Sequence, residues 1–261
     1  MNGIIHKTER KCEMDRKLRD NRNKLIVKSN ELIRNARYSL SELEQKFIVF
    51  LISKIEKNDK ELKEVTINLK EYCNIAGLEY SGGSIAYIKN NIQELSNKSW
   101  WIDNIDGSST LFRWIDTVSI YGETIKIILS ESLKPYLIDL KQDFSKYELI
   151  NILVLRGKYT VRLYELFKSY SWKGEWRVKV KELRNIINCD KYKQFKEFNR
   201  NVLKYSIEEI NKHTDLNISY KTIREGKFVN EIEFLIKEKE GFQMTIEMIM
   251  NQEERLDFNE K

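Results

Sequence analysis

The sequence predicts an α+β fold built from two similar units in tandem, and three observations support that prediction. Helical and strand-like patterns alternate in short segments along the 261 residues, which include one proline and ten glycines. The segment 66–78 is similar to the segment 177–189. The net charge changes sign between the two halves. A chain of this length can form two domains, each with its own hydrophobic core.

The composition narrows the functional classes. Charged residues make up 33% and hydrophobic residues 41% of the chain, and no apolar stretch reaches the roughly 18 residues of a membrane-spanning helix. The N-terminus carries charges where a signal peptide needs an apolar region. The three cysteines and two histidines are widely separated, so they form neither a disulfide framework nor a metal-binding pattern. We therefore expect a reduced, cytoplasmic protein with no cofactor, no metal and no membrane contact.

The first unit begins with a capping box, in which Ser41 and Glu44 predict the start of a helix. Residues 65–69 are expected to form a strand, and residues 70–76 a short helix that ends at Gly77. A longer helix begins near Ser84. The rest of the unit is predicted as an aromatic hairpin over 100–120 with its turn at Asp106 and Gly107, a strand over 124–129, and a short helix over 130–140.

The second unit repeats this order. It is predicted as a helix over 159–170, a strand over 176–180, a helix over 181–187, a helix from about 191 to 211, and a hairpin over 216–236 that turns at residues 225–226. At a shift of 111 residues, four positions are identical: Lys70/Lys181, Glu71/Glu182, Asn74/Asn185 and Ile75/Ile186. At a shift of 110, the apolar positions Ile85, Ile88, Ile92 and Leu95 align with Phe195, Phe198, Val202 and Tyr205. The recurrence indicates a duplicated domain.

This order of elements is that of a winged helix, so the predicted fold is α+β with two tandem winged-helix domains related by internal duplication. In such a domain the longer helix can enter the major groove of DNA, and the hairpin, or wing, lies beside it. We expect a flexible basic arm over 1–26, a first domain over 27–141, a second domain over 142–240, and an acidic tail over 241–261. The arm and the tail are expected to be partly disordered.

The charge distribution places the main DNA-reading surface on the second domain. Residues 38–140 have a net charge of −4, and residues 141–240 a net charge of +7. On the predicted long helix, Arg200 is the candidate for reading guanine and Asn199 for reading adenine. The candidates for phosphate or groove contact are Lys191, Lys193, Lys196 and Lys204 on the helix, and Lys221, Arg224 and Lys227 on the wing. A solvated basic face is the alternative, and the helix's place in the motif favours DNA.

The corresponding helix of the first domain is polar but hardly basic, with Ser84, Lys89, Asn91, Gln93 and Glu94. This leaves weak DNA contact and dimerisation both open. The aromatic residues of the first hairpin are expected in the domain core, with an exposed interface or stacking on single-stranded bases as alternatives. These residues are Trp100, Trp101, Phe112 and Trp114.

The residues from about 28 to 236 resemble the iteron-binding initiators of theta-mode plasmid replication, the Rep proteins with tandem winged helices. Three groups of residues, taken together and in order, carry the resemblance. They are Ser29-Asn30-Glu31-Leu32 with Ala36-Arg37-Tyr38-Ser39-Leu40 and Glu44-Gln45-Lys46; Tyr159 with Arg162-Leu163-Tyr164-Glu165-Leu166; and Phe195, Phe198, Val202-Leu203 and Glu209-Ile210-Asn211.

The resemblance implies that the first winged helix mediates dimerisation and assists DNA contact, while the second reads the repeated DNA site. It implies binding as a monomer to directly repeated origin sites, and as a homodimer to an inverted-repeat operator that represses the protein's own gene. It also implies opening of an AT-rich origin and recruitment of host replication proteins.

Other functional classes fit the sequence less well. A DNA-nicking initiator needs closely spaced histidines to hold a metal, and His6 and His213 are isolated. No GxxxxGK[ST] segment is present, which argues against ATP-driven opening by this chain. We therefore expect no enzymatic activity. A winged-helix transcriptional repressor without a replication role remains the main alternative, followed by a protein-interaction module without DNA affinity.

Overall fold

The computed structural model describes residues 16–103 and 107–242, with Asp103 described by its backbone alone. In chain order the strands and helices are β1 (Leu25–Ser29), α1 (Asn30–Asn35), α2 (Glu42–Ile52), β2 (Val65–Asn68), α3 (Leu69–Ala76), α4 (Gly82–Ser96), β3 (Ser99–Asp103), β4 (Ser109–Arg113), β5 (Ile115–Tyr121), β6 (Thr124–Leu129), α5 (Lys134–Leu137), β7 (Phe144–Glu148), α6 (Leu149–Leu153), α7 (Lys158–Tyr170), β8 (Glu175–Lys179), α8 (Val180–Ile186), α9 (residues 195–213), β9 (Leu216–Glu225) and β10 (Phe228–Glu238).

Two antiparallel three-stranded sheets have the same topology and confirm the tandem winged-helix prediction. One sheet has the order β2-β6-β5, and the other has the order β8-β10-β9. Each sheet is combined with three helices in the same chain order. The first unit runs α2-β2-α3-α4-β5-β6, and the second runs α7-β8-α8-α9-β9-β10.

Local signals in the sequence place several of these elements correctly. The Ser41 hydroxyl accepts a hydrogen bond from the Glu44 backbone amide, and the Glu44 carboxylate accepts one from the Ser41 amide at 2.6 Å, so the predicted capping box forms at the start of α2. Gly77 has φ +70° and ends α3, because a left-handed residue is needed at that position.

The aromatic hairpin differs from the prediction in its topology. The expected strand over 111–120 divides at Trp114 into β4, which pairs only with β3, and β5, which pairs with β6 in the main sheet. The wing of the first domain is therefore β5–β6, and β3–β4 is an insertion between α4 and that wing. The predicted turn at Asp106 lies outside the described residues. The expected helix over 130–140 is a 3₁₀ turn followed by α5, which ends at Leu137.

Most of the aromatic side chains in this hairpin belong to the core, as expected. Trp100, Phe112 and Trp114 are buried, and the Trp100 and Trp114 rings lie 4.7 Å apart between centroids. Trp101 is the exception, because 58% of it is exposed. Its cross-strand partner Leu111 is also exposed. Trp101 and Leu111 therefore form an exposed apolar pair on the outer face of β3–β4, beside the exposed polar residues Ser99 and Arg113.

The residues that precede the first domain are held against it by hydrogen bonds from Arg22. Residues 16–22 are helical, and Arg22 is buried and donates to the backbone carbonyls of Ile75 (3.0 Å) and Asn74 (2.8 Å) near the end of α3. These bonds satisfy carbonyls that the end of a helix leaves free. Residues 1–15 of the predicted basic arm, and all but Gly241 and Phe242 of the predicted acidic tail, lie outside the described residues.

A buried ionic network joins the start of the chain to α7. The β1 strand pairs antiparallel with β7, from Leu25 opposite Glu148 to Ser29 opposite Phe144. Next to this pair, the Lys28 ammonium contacts the Glu165 carboxylate at 2.6 Å, and the Tyr147 hydroxyl donates to the same oxygen at 2.5 Å. All three side chains are buried.

Arg162 completes this network on the other side of Glu165. Its guanidinium lies 3.9 Å from the second Glu165 oxygen and donates to the Ala36 carbonyl at 2.8 Å. Burial alone would raise the pKa of Glu165, but the positive charges of Lys28 and Arg162 hold it below its ordinary value. Glu165 is thus an ionised carboxylate between two buried cations.

Candidate nucleic-acid interface

The candidate interface is centred on α9, the long helix of the second domain. Phe198, Val202 and Ile210 are buried on one side of α9 and fix it to the domain core. Lys196, Arg200 and Lys204 are exposed and follow one another at intervals of four residues. None of these three side chains takes part in a salt bridge with the described part of the chain. The basic row predicted on this helix is therefore solvent-facing.

The helix starts later than predicted and contains a π-helical segment. It begins at Phe195 rather than near Lys191, and the segment Asn199–Lys204 has π-helical hydrogen bonding between the α-helical Phe195–Phe198 and Tyr205–His213. A π-helical turn accommodates an extra residue, so positions after it are rotated relative to an ideal α-helix. This explains why Tyr205 is 42% exposed although its aligned position Leu95 is fully buried. The predicted equivalence of those two positions is wrong for that reason.

Lys191 and Lys193 lie in the connection between α8 and α9 instead of on the helix, and both are exposed. Arg184 of α8 fixes this connection, because its guanidinium donates to the Lys193 carbonyl at 3.0 Å and lies 4.8 Å from the centre of the Phe198 ring. Lys193 therefore adds a cation just before the first turn of α9. Its backbone position is fixed by Arg184, which also contacts Phe198 of the helix.

The two predicted base-reading residues are in different environments. Arg200 is exposed, and its Nε atom makes one long hydrogen bond of 3.3 Å to the neighbouring Asn201 side chain. Asn199 is half-buried, and its Oδ1 atom accepts a hydrogen bond of 2.6 Å from the Tyr220 hydroxyl. Bidentate reading of adenine requires both the oxygen and the nitrogen of an asparagine amide. In this structure Tyr220 engages the oxygen, and the nitrogen has no partner among the described residues.

Two of the three cations predicted on the wing are exposed and have no salt-bridge partner among the described residues. Gly226 has φ +59° in the turn between β9 and β10, a backbone conformation for which glycine is favoured. Arg224 and Lys227, on either side of the turn, are exposed and form no salt bridge with described residues. Lys221 lies further from the turn, and its ammonium is 2.7 Å from the Glu233 carboxylate of its cross-strand partner.

A basic cleft beside α8 contains residues that were not singled out from the sequence. The cleft has a volume of about 810 Å³ and lies between α8, the connection to α9, and the beginning of β10. Four cations and two carboxylates line it; the cations are Lys179, Lys181, Arg184 and Lys193. Lys179 and Lys181 are exposed. The run of alternating basic residues over 177–184 is the signal that could have identified them.

The equivalent surface of the first domain is different. On α4, Tyr87 is exposed and Lys89 is half-buried, and at the tip of the β5–β6 wing Tyr121 is exposed. This surface presents aromatic and amide groups where the second domain presents a row of cations. Among the described residues, no group of three or more His, Cys, Asp or Glu side chains could hold a metal ion. No helix in that part of the chain is long and apolar enough to cross a membrane.

The fold is that of a tandem winged-helix protein with an exposed basic row on the long helix of its second domain. Residues 25–168 match the family described as "Initiator Replication protein, WH1", and residues 179–236 match the family described as "Initiator Rep protein, WH2". Together these matches cover most of the chain. The chain therefore belongs to the initiator Rep protein family.

One curated relative agrees with this assignment. The chain is 24% identical over 205 residues to a "Replication initiation protein" of Escherichia coli, a match that covers 74% of this chain and 64% of that relative. The chain thus spans less than two thirds of the relative's length. Two solved structures of domains 2 and 3 of RctB cover 75% and 76% of this chain and 81% of theirs, at 12% and 13% identity with TM-scores of 0.45 and 0.42.

Proposed function

We propose that this chain is a cytoplasmic plasmid replication initiator that binds directly repeated double-stranded sites at the origin to start theta-mode replication. The second winged helix is the main reading domain. The observation that carries this proposal is the row of exposed cations on α9, together with the exposed cations beside the wing turn; none of them forms a salt bridge with another described residue. A protein surface of this kind neutralises phosphates and allows an arginine to reach base edges.

The way the protein engages DNA follows from the two domains. Two winged helices on one face of a duplex have centres about one helical turn, or roughly 10 bp, apart. We therefore propose that the monomer binds an asymmetric site of about two turns.

The dimer has a separate role in this proposal. It is formed through the first domain, binds an inverted repeat and represses the protein's own gene. Host replication proteins are recruited at the origin.

The experiment that tests the proposal is selection of bound duplexes from a random library at near-physiological salt, followed by sequencing. The expected result is an asymmetric motif of about two turns that recurs as tandem copies beside the gene. A purely palindromic motif without tandem copies would instead indicate a transcriptional repressor. A failure to enrich any sequence would contradict sequence-specific binding.

The wing is expected to contact phosphate. Lys227→Ala should weaken binding to all duplexes by a similar factor. It should also reduce the slope of log K against log salt concentration by about 0.9, the value for one lost phosphate contact. Fluorescence anisotropy across a salt series would measure both. Lys237→Ala is the matched control, because Lys237 is an exposed lysine of the same hairpin that pairs with Asn217, far from the wing turn. An unchanged slope for Lys227→Ala would remove the wing from the interface.

Dimerisation is expected to depend on the outer face of β3–β4. Trp101→Asp replaces one of the two exposed apolar side chains of this face by a charge and should shift the full chain from dimer to monomer in sedimentation velocity experiments, because a buried unpaired carboxylate opposes association. Trp172→Asp is the control, since Trp172 is an exposed tryptophan of the second domain. If Trp101→Asp retained the dimer, or if both variants dissociated equally, this face would not be the dimer contact.

A further inference from the structure

The hydrogen bond between Tyr220 and Asn199 connects the wing strand β9 to the helix α9. The Tyr220 hydroxyl donates to Asn199 Oδ1 over 2.6 Å, a distance typical of a strong O–H···O bond. The Tyr220 ring lies 5.9 Å from the Phe234 ring of β10. Burial raises the pKa of Tyr220, so the hydroxyl keeps its proton at neutral pH. The hydroxyl is the donor of this bond, and the amide oxygen is its acceptor.

The other end of the Asn199 amide is available. Within the described residues, Nδ2 has no hydrogen-bond partner. The atom is not buried, so a ligand can reach it. Asn199 lies in the second turn of α9, directly before the exposed Arg200. This is the part of a recognition helix that meets base edges. One lone pair of the amide oxygen is thus engaged by Tyr220 of β9, and the amino group is the end of the amide without a partner in the described chain.

We propose that Tyr220 is a specificity-determining positioning residue: by holding Oδ1 toward β9, it orients Asn199 so that the amino group is the part of the amide that reads DNA. This inference rests on the proposed function and refines its base readout. A freely rotating asparagine accepts from adenine N6 and donates to adenine N7. An amide held with its amino group toward the base instead favours guanine or thymine, whose hydrogen-bonding groups in the major groove are acceptors. Adenine and cytosine would each present an amino group with no acceptor opposite it.

The test is a library selection with the full chain and three variants. Asn199→Ala should remove the base preference at one position of the motif and so identify it. At that position, the wild type should favour guanine or thymine by about fivefold or more. Tyr220→Phe keeps the ring but removes the hydroxyl, so the amide can turn and the preference should move to adenine.

Asn199→Asp provides a second test that leaves Tyr220 unchanged. One carboxylate oxygen would accept from Tyr220, and the other would face the DNA as an acceptor. The preferred base at the same position should then change to cytosine or adenine, whose amino groups are donors. Circular dichroism melting curves of each variant establish that the folded domain is being compared. A merely structural Tyr220–Asn199 bond would alter stability or overall affinity without changing which base is preferred.

Defined outcomes would overturn the inference. They are a guanine or thymine preference that persists unchanged in Tyr220→Phe, a wild-type preference for adenine at the position identified by Asn199→Ala, or a motif that Asn199→Ala leaves intact. Each of these would leave sequence-specific binding by the second domain in place. A wild-type chain that selects no motif would overturn the proposed function itself and, with it, the role of Tyr220.

Discussion

Glu165→Gln is expected to lower the free energy of unfolding by about 3–5 kcal/mol, the usual cost of removing one partner from a buried ion pair. The side chain lies between Lys28 and Arg162, and all three are at most 3% exposed. A neutral amide would leave two buried cations without a counterion while keeping the shape of the side chain. Urea unfolding at pH 7 would measure the loss. The matched control is Glu64→Gln, which removes the partner of Lys126 in an exposed salt bridge and should cost about 1 kcal/mol or less.

The same variant has a predictable pH dependence. Because the pKa of Glu165 is depressed in the folded state, its carboxylate contributes its full stabilisation above the unfolded-state pKa of about 4.3. That contribution is lost as the pH falls through the lower folded-state pKa. The stability difference between the wild type and Glu165→Gln should therefore narrow in acid. A difference that stayed constant from pH 7 into strong acid would show that Glu165 is not ionised in the folded protein.

Arg200→Ala should weaken binding to the cognate site by about 1–3 kcal/mol and relax the preference at one base position. Arg200 is exposed on α9 and has no carboxylate partner in the described chain, so its guanidinium is free to contact a guanine through two hydrogen bonds. Competition binding with duplexes that vary one base pair at a time would measure the effect.

Two further variants separate base reading by Arg200 from charge alone. Arg200→Lys keeps the charge but loses the planar fork, so it should recover general DNA affinity without recovering the base preference. Lys212→Ala removes an exposed cation from the last turn of the same helix and should leave the preference unchanged. An equal loss of affinity on every sequence for Arg200→Ala would identify Arg200 as a phosphate contact.

The parts of the fold that the sequence predicted well depend on interactions between near neighbours. The capping box at Ser41 and the glycine that ends α3 each involve residues a few positions apart, so their side chains and spacing were sufficient. The aromatic hairpin could not be placed correctly in this way. Its two halves are assigned to different sheets because β6 pairs with both β2 and β5, and that choice depends on residues more than fifty positions away.

The candidate interface was predicted in outline, and its details depend on tertiary contacts. The basic row on α9 was visible as charges spaced along a helix. The engagement of Asn199 by Tyr220 was not, because the two residues are 21 positions apart on different elements. The π-helical segment changes backbone hydrogen bonding without an evident signal in the apolar pattern. The pairing of Lys221 with Glu233 follows from the register of the wing strands. A sequence prediction that included this register would have predicted the pair.

The buried contact between Lys28 and Glu165 has a consequence for how the chain folds during synthesis. The two residues are 137 positions apart, and a ribosome adds about 5–20 residues per second. Lys28 therefore leaves the ribosome roughly 7–30 s before its counterion does. During that interval an unpaired ammonium cannot be buried without a large cost, so β1 stays in contact with water until α7 has been translated. The burial of β1 is thus completed only after the chain has been synthesised as far as α7.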